Sequence, residues 1–497
     1  MPLIGPDSSR LPWPPLKERG ARIAEAAAWY AGDPAGLASI YGGAYPFTTP
    51  DRSRLRFWAR RSRDQVTSSR AQLHVPLASD IAACSASLLM GTMPQIAWQD
   101  DEQATDLIGD QSESLGTVLA EAAEICAALG GVWLRPAWDF GLEENPFLTV
   151  VHPDAAWPTW RYGRLVDVTF WTQLDPVEGD KGVWRHLETH WVDTMWRVRH
   201  QLFHGSTDTL GISVPLVGHP QTASLAEELG ADGGFALGLP MLGVAYVPNM
   251  RPNRRDRFSV EGRPDIDGSE GLLDALDEAW TSWIRDLRLA KARLVVPETY
   301  LDTSGKGRGQ SFDLDREIFT PIDVPTNLTT GYELHLFQPE IRFQEHEGTV
   351  LALVEQIVGS AGYAPQEFGL HIEGRAESGT ALRIRRSRTY ATVDRKRRYW
   401  TPGLTTAVWG VAGLARTLKG GSGPSELPQV DWPEDVDLAE MAETVSLIQS
   451  AAAASTETRV RWLHPDWTDQ QIEEEAEKVR REQGLSVPDP LQLGVLP

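Results

Sequence analysis

The chain has 497 residues, 41% of them hydrophobic, and 69 Asp and Glu against 47 Lys and Arg, a formal net charge of −22. That length is too great for one core and predicts two to four domains, while the acidity excludes a domain that coats DNA through general basic charge. Cys84 and Cys126 are the only cysteines, which excludes a disulfide framework and a Cys-based metal site; both fall in apolar helical patterns, as buried thiols do. No signal-peptide core and no run of about eighteen apolar residues occurs. The expectation is therefore a chain made in a reducing cytoplasm, without a membrane partner.

Residues 1–15 are proline-rich and predict an extended arm lying across another subunit. Short helices are expected over 21–30 and 57–70. Leu77, Ile81, Cys84 and Leu88 form a buried helical stripe, with Gly91 as C-cap and Pro94 as stop. A second helix spans 111–129, with Leu115, Leu119, Ala122 and Cys126 on one face. From Val132 to Tyr246 the hydrophobic period changes to two, which predicts a β-rich region holding many of the 19 Trp. A loop over 248–267 follows.

Asp267 and Glu270 have capping-box spacing. Behind them Leu273, Leu276, Trp280, Trp283, Leu287, Ala290 and Leu294 repeat in steps of three and four, an a/d seam that needs a partner helix. Residues 295–340 read as a small irregular module with a glycine-rich basic insert. Val350, Leu353, Val354 and Ile357 then restore a helix over 346–360, so a helical hairpin carrying a module at its tip is expected. Residues 361–378 have no period and read as a loop.

Beyond it lies a stretch of some forty residues with Pro402 and Gly403 inside it, read as a long helix bent near Thr401. Arg383, Arg385, Arg386, Arg388, Arg395, Lys396, Arg397 and Arg398 fall on every side of its first half. That distribution predicts surrounding carboxylates or phosphates. Its second half shows one narrow stripe: Leu404, Val408, Val411, Ala415, Leu418. Residues 420–433 read as a linker, followed by helices over 438–450, 457–463 and from Thr468, with Gln471 at capping-box spacing.

Catalytic signatures are missing. Ser304 to Gly309 lacks the phosphate-loop spacing, and no helix follows it. His186, Glu188 and His190 form HxExH on an expected strand rather than HExxH on a helix, so solvent-facing polar residues are expected, not a metal. Neither a nucleophile elbow nor a dinucleotide fingerprint occurs. The chain is expected to be no enzyme, with no cofactor and no metal.

Four segments, 74–96, 272–296, 377–400 and 442–482, resemble in content and order the portal proteins of tailed bacteriophages with long non-contractile tails. The resemblance implies an α+β portal fold: a β-rich wing (1–266), stem helices (267–294 and 341–360), a small α/β clip (295–340), a tunnel loop (361–378), a long kinked wing helix with linker (379–429), a helical crown (430–485) and a flexible tail (486–497). It implies a ring, usually of twelve copies, in the virion at one capsid vertex. Double-stranded DNA would pass non-specifically during packaging and ejection, and the terminase large subunit, the head–tail connector and the major capsid and scaffold proteins would be partners. By that likeness Phe368, His371, Glu373, Arg375 and Glu377 belong to the channel loop, Lys306, Arg308 and Arg316 to terminase docking, and Leu273, Leu276, Trp280, Trp283, Leu287 and Leu294 to stem packing. Arg383, Arg386, Arg395 and Arg397 are assigned to contacts with carboxylates of this or neighbouring chains. The alternatives are a Trp-rich acidic glycoside hydrolase with a carboxylate pair and a head-morphogenesis protein without a channel.

Overall fold

The computed structural model describes residues 7–33, 36–37, 73–139, 141–229, 234–290, 293–295, 302–303, 310–311, 335–337, 340–370, 379–433, 455–463 and 467–482. They form a mixed helix-and-sheet, α+β arrangement. The expected helix over 57–70 and residues 438–450 lie outside the described residues.

The β-rich region makes a seven-stranded antiparallel sheet. Its strands are β1 (Asp7–Pro12), β5 (Ala156–Arg161), β6 (Arg164–Gln173), β7 (Val183–Val192), β8 (Trp196–Gly205), β9 (Thr209–Val214) and β10 (Gly234–Ala236). The order is β1-β9-β8-β7-β6-β5, with β10 also on β8. The N-terminal arm is thus extended, and its Asp7–Pro12 stretch pairs with β9 of its own chain. Trp13 anchors it among Leu187, Phe203 and Leu210, an apolar site that the chain itself completes.

A smaller sheet of β3 (Gly131–Ala137), β4 (Phe147–Val151) and β11 (Ala245–Pro248) forms the floor of the main core. The helices above it are α1 (Lys17–Ala31), α2 (Leu77–Met90), α3 (Glu102–Asp110) and α4 (Ser112–Leu129). The long helix, Gly379–Leu418, runs unbroken through Pro402. The Thr401 hydroxyl donates to the Arg397 carbonyl, and those of Thr405 and Thr406 to that of Pro402. Its second half buries Leu404, Ala407, Val408, Trp409, Val411, Ala412, Leu414 and Ala415, far wider than one stripe, while Leu418 is 40% exposed. Sheet lies on one side of it and helices lie on the other, so only small residues fit where backbones meet. A Cβ on Gly410 would lie 2.8 Å from Gly243 Cα, and one on Gly403 2.4 Å from Val247 Cγ2.

The expected linker is tied down. Trp98, Trp409 and Trp432 donate their indole N–H groups to Glu426 O, Pro424 O and Thr401 Oγ1 at 2.8–3.0 Å. Gln429–Asp431 adds a strand to Gln95–Ala97. Further along, Thr456–Leu463 and Asp469–Glu482 pack through Val460, Ile472 and Ala476. Thr468 and Gln471 form a reciprocal capping box, with Thr468 N–H donating to Gln471 Oε1 at 2.9 Å.

Gly410→Val is expected to destabilise the chain by about 2–3 kcal/mol through overpacking. Gly20→Ala, on α1 with open space around it, is expected to stabilise by about 0.5–1 kcal/mol. Urea unfolding followed by Trp fluorescence checks both signs.

Candidate functional site: a buried junction beneath a helix pair

Two antiparallel helices, Glu270–Leu289 and Phe343–Ala361, stand together, and the strand pair Arg293–Val295 with His335–Phe337 closes their far end. Leu273 and Leu276 are buried, and Trp280 stacks on Trp283 at 5.1 Å. Trp283 meets Phe343 edge-on and lies flat against His346, whose Nε2 is 2.9 Å from Asp286. Two details depart from the seam reading. Leu287, which stands beyond the start of the partner helix at Phe343, is 42% exposed. Leu294 is on the strand, where the period of two takes over from the helix.

Asp267 does not cap the first helix, which starts at Glu270 with Ser269 before it. Instead Asp267, Glu25 and Glu270 surround Arg255, the first two at 3.0 and 3.1 Å. Burial raises the Glu270 carboxyl above its ordinary range. A third fastening is Asp277, buried, which accepts from Val75 N–H at 2.8 Å and faces His74 Nδ1 at 2.9 Å.

At the base of the pair Lys396, 1% exposed, donates from Nζ to Asp265 Oδ2 and Ser85 Oγ, both at 2.6 Å. Asp265 also accepts from Tyr363 OH at 3.0 Å and Asn249 Nδ2 at 2.8 Å. Burial first, then the Asp265 charge, holds the Tyr363 phenol well above its usual value. Burial first, then the Glu367 and Asp265 charges, push the Cys84 thiol up to about 11, which disfavours the thiolate.

The segment after the second helix is clamped to the long helix. Thr392 Oγ1 donates to Gly362 O at 2.9 Å, Ala364 N–H donates to Thr389 Oγ1 at 2.9 Å, and Arg386 makes two bonds to Glu367 at 2.6 and 3.1 Å. Gly362 has φ +98, and a Cβ there would meet Thr392 Oγ1 at 2.6 Å. Pro365–Phe368 forms a short 3-10 turn where an aperiodic loop was expected. Phe368 is half-buried against Tyr363.

His371, Glu373, Arg375 and Glu377 lie outside the described residues, as do Lys306, Arg308 and Arg316. Arg383 is on the long helix, and its side chain lies outside the described set. Arg397 sits 3.7 Å from Asp394 and over Trp432, and Arg395 bonds the Arg251 carbonyl. The cations that are buried or bonded meet protein groups of this chain. The residues that organise this junction, Asp265 and Tyr363, gave no sequence signal: each is one acid or tyrosine in an aperiodic stretch.

The HxExH residues are not solvent-facing. Glu188 bonds Arg135 of β3 and His190, both at 2.7 Å, and Trp196 donates to His190 Nδ1 at 3.1 Å. His190 is 1% exposed. β3 and the aromatic core cover this face, which sequence alternation cannot reveal. Among the described residues no group of three or more His, Cys, Asp or Glu could hold a metal. His186 stacks on His200 at 5.2 Å, and burial pulls the His200 pKa down to about 4.

No helix among the described residues is long and apolar enough to cross a membrane. No family model matches the chain, and no curated protein matches it. Two solved structures are similar over 92% of this chain and 95% of theirs: "Neck of empty GTA particle computed with C6 symmetry" (13% identity, TM-score 0.38) and "Neck of native GTA particle computed with C12 symmetry" (12% identity, TM-score 0.34). Likeness at this level leaves the functional reading to rest on the chain's own residues.

Lys396→Met or Asp265→Asn alone is expected to cost about 3–5 kcal/mol, since each strands a buried partner. The double variant is expected to cost less than the sum, read from urea midpoints as a double-mutant cycle. His200 is depressed in the folded chain, so the unfolded chain binds its proton first. Stability is therefore expected to fall as pH drops from about 6.5 to about 4, by at most ~3 kcal/mol from this residue. His200→Gln should flatten that part of the pH profile of the melting temperature.

Proposed function

We propose that the chain is the subunit of a portal ring at one vertex of a tailed-phage-like capsid, a conduit for double-stranded DNA in packaging and ejection. The observation that carries this reading is the helix pair: a two-helix post closed by a strand ladder at one end and seated on a buried ionic junction at the other. In this reading the pair is the stem and residues 295–340 are the clip. Lys306, Arg308 and Arg316 there present charge to the terminase large subunit and later to the head–tail connector. Residues 361–378 are the tunnel loop, whose base is the clamped segment at Tyr363–Phe368. Residues 1–266 and the long helix are the wing, which meets capsid and scaffold proteins, and 430–485 are the crown.

Two physical points support it. A conduit has to let its cargo slide, and every phosphate neutralised releases counterions and adds affinity. A chain of net charge −22 keeps that attraction weak. The buried and bonded cations of the long helix have partners in this chain: Lys396 with Asp265, and Arg386 with Glu367.

The hydrolase alternative finds no support in the acid-rich cleft between Arg19 and Glu270, a cavity of about 50 Å³. Its carboxylates Glu25, Glu261, Asp267 and Glu270 are each bonded to arginine. None is left to act as a free acid and base.

Negative-stain microscopy of the purified chain is expected to show closed rings with a central hole that admits a duplex. Particles that stay monomeric at all concentrations, or rings without a hole, would refute the proposal.

A further inference from the structure

The helix pair leaves two outer faces, and they are complementary. On Phe343–Ala361, here α7 (following α5, Pro220–Leu229, and α6, Glu270–Leu289), the face turned away from α6 shows Gly348, Thr349 and Ala352 along a shallow open groove. Side chains this small let another helix approach closely. Glu340 and Glu345 stand exposed at the end of the groove nearer the strand ladder. On α6, helical geometry turns Ser282 and Arg285 away from the α7 seam, with Arg288 beside them, and all three are exposed.

Heights along the pair can be compared. Trp283 touches both Phe343 and His346, so Arg285 is level with Phe343 to Glu345, and Arg288 with Glu340. A cyclic ring whose axis runs along the pair leaves each residue at its own height. The next copy then brings Glu345 and Glu340 level with Arg285 and Arg288. A ring contact is heterologous and has to join two different faces of one chain, and these two faces differ in relief and in sign, since Arg342, between Glu340 and Glu345, is paired with Asp286 of its own chain.

We infer that the Ser282–Arg288 face of α6 in one copy seats against the Glu345–Thr349 end of the α7 groove in the next, with Arg285 and Arg288 against the partner's Glu345 and Glu340. This rests on the ring reading above and names its interface. At the opposite end Glu278 on α6 and Glu355 on α7 are both acidic and exposed, so neighbouring pairs converge at the strand-ladder end and spread at the other.

The test is a charge swap in the full chain: Arg285→Glu, Glu345→Arg and the two together, with assembly followed by mass photometry against concentration. Both positions are surface sites, so equal far-UV circular dichroism establishes that folding is unchanged. Each single variant is expected to raise the concentration for half-assembly at least about tenfold, because like charges face each other. The double variant is expected to return to within about threefold of the unmodified chain. Rings formed by the unmodified chain but indifferent to the single variants, or a double variant no better than the singles, overturn this interface and leave the ring reading standing. An unmodified chain that makes no rings removes the ring reading itself.

Discussion

The Lys396–Asp265 ion pair is the constraint on which the arrangement depends. Both side chains are 2% exposed, so neither charge is tolerable without the other. Asp265 comes just before the first helix of the pair, Lys396 from the middle of the long helix, Ser85 from α2 and Tyr363 from the turn after α7. Four segments far apart in the chain are thereby held at one point. The helix pair cannot tilt independently of the core without exposing an unpaired ion.

From that point the rest follows in two directions. Toward the core, the long helix leaves the ionic zone and enters one where nearly every side is apolar, and glycines at 403 and 410 set how closely it approaches the sheet. Toward the helix pair, Asp277 and Arg255 fasten the post to the body, and the Ser269–Ser360 contact ties its two helices together. The segment that leads to residues 371–378 leaves from a base held by Thr389, Thr392 and Arg386.

The acid-rich composition also finds a physical place. Part of the negative charge is consumed internally, around Arg255 and Lys396 and at Glu188. Other acids among the described residues, such as Glu278, Glu345 and Glu355, stand exposed. The basic helix is likewise divided: Lys396 is buried and Arg386 bonded, while Arg388, Arg395 and Arg398 face outward, which a net charge alone does not convey.

By itself the sequence determined the elements whose cause is local. The helical stripes over 77–88 and 115–126, the change to period two after Val132, the seam at Leu273–Trp283 and the capping box at Thr468–Gln471 all arise from residues within a few turns of each other. Tertiary structure alone decided what depends on distant partners. Asp267 pairs with Arg255 rather than capping a helix, and HxExH turns inward because Arg135 lies opposite. Three tryptophans order the glycine-rich stretch after Leu418, and Lys396 becomes a buried ion. Spacing along a chain encodes which face a side chain takes; it does not encode what another part of the fold places against that face.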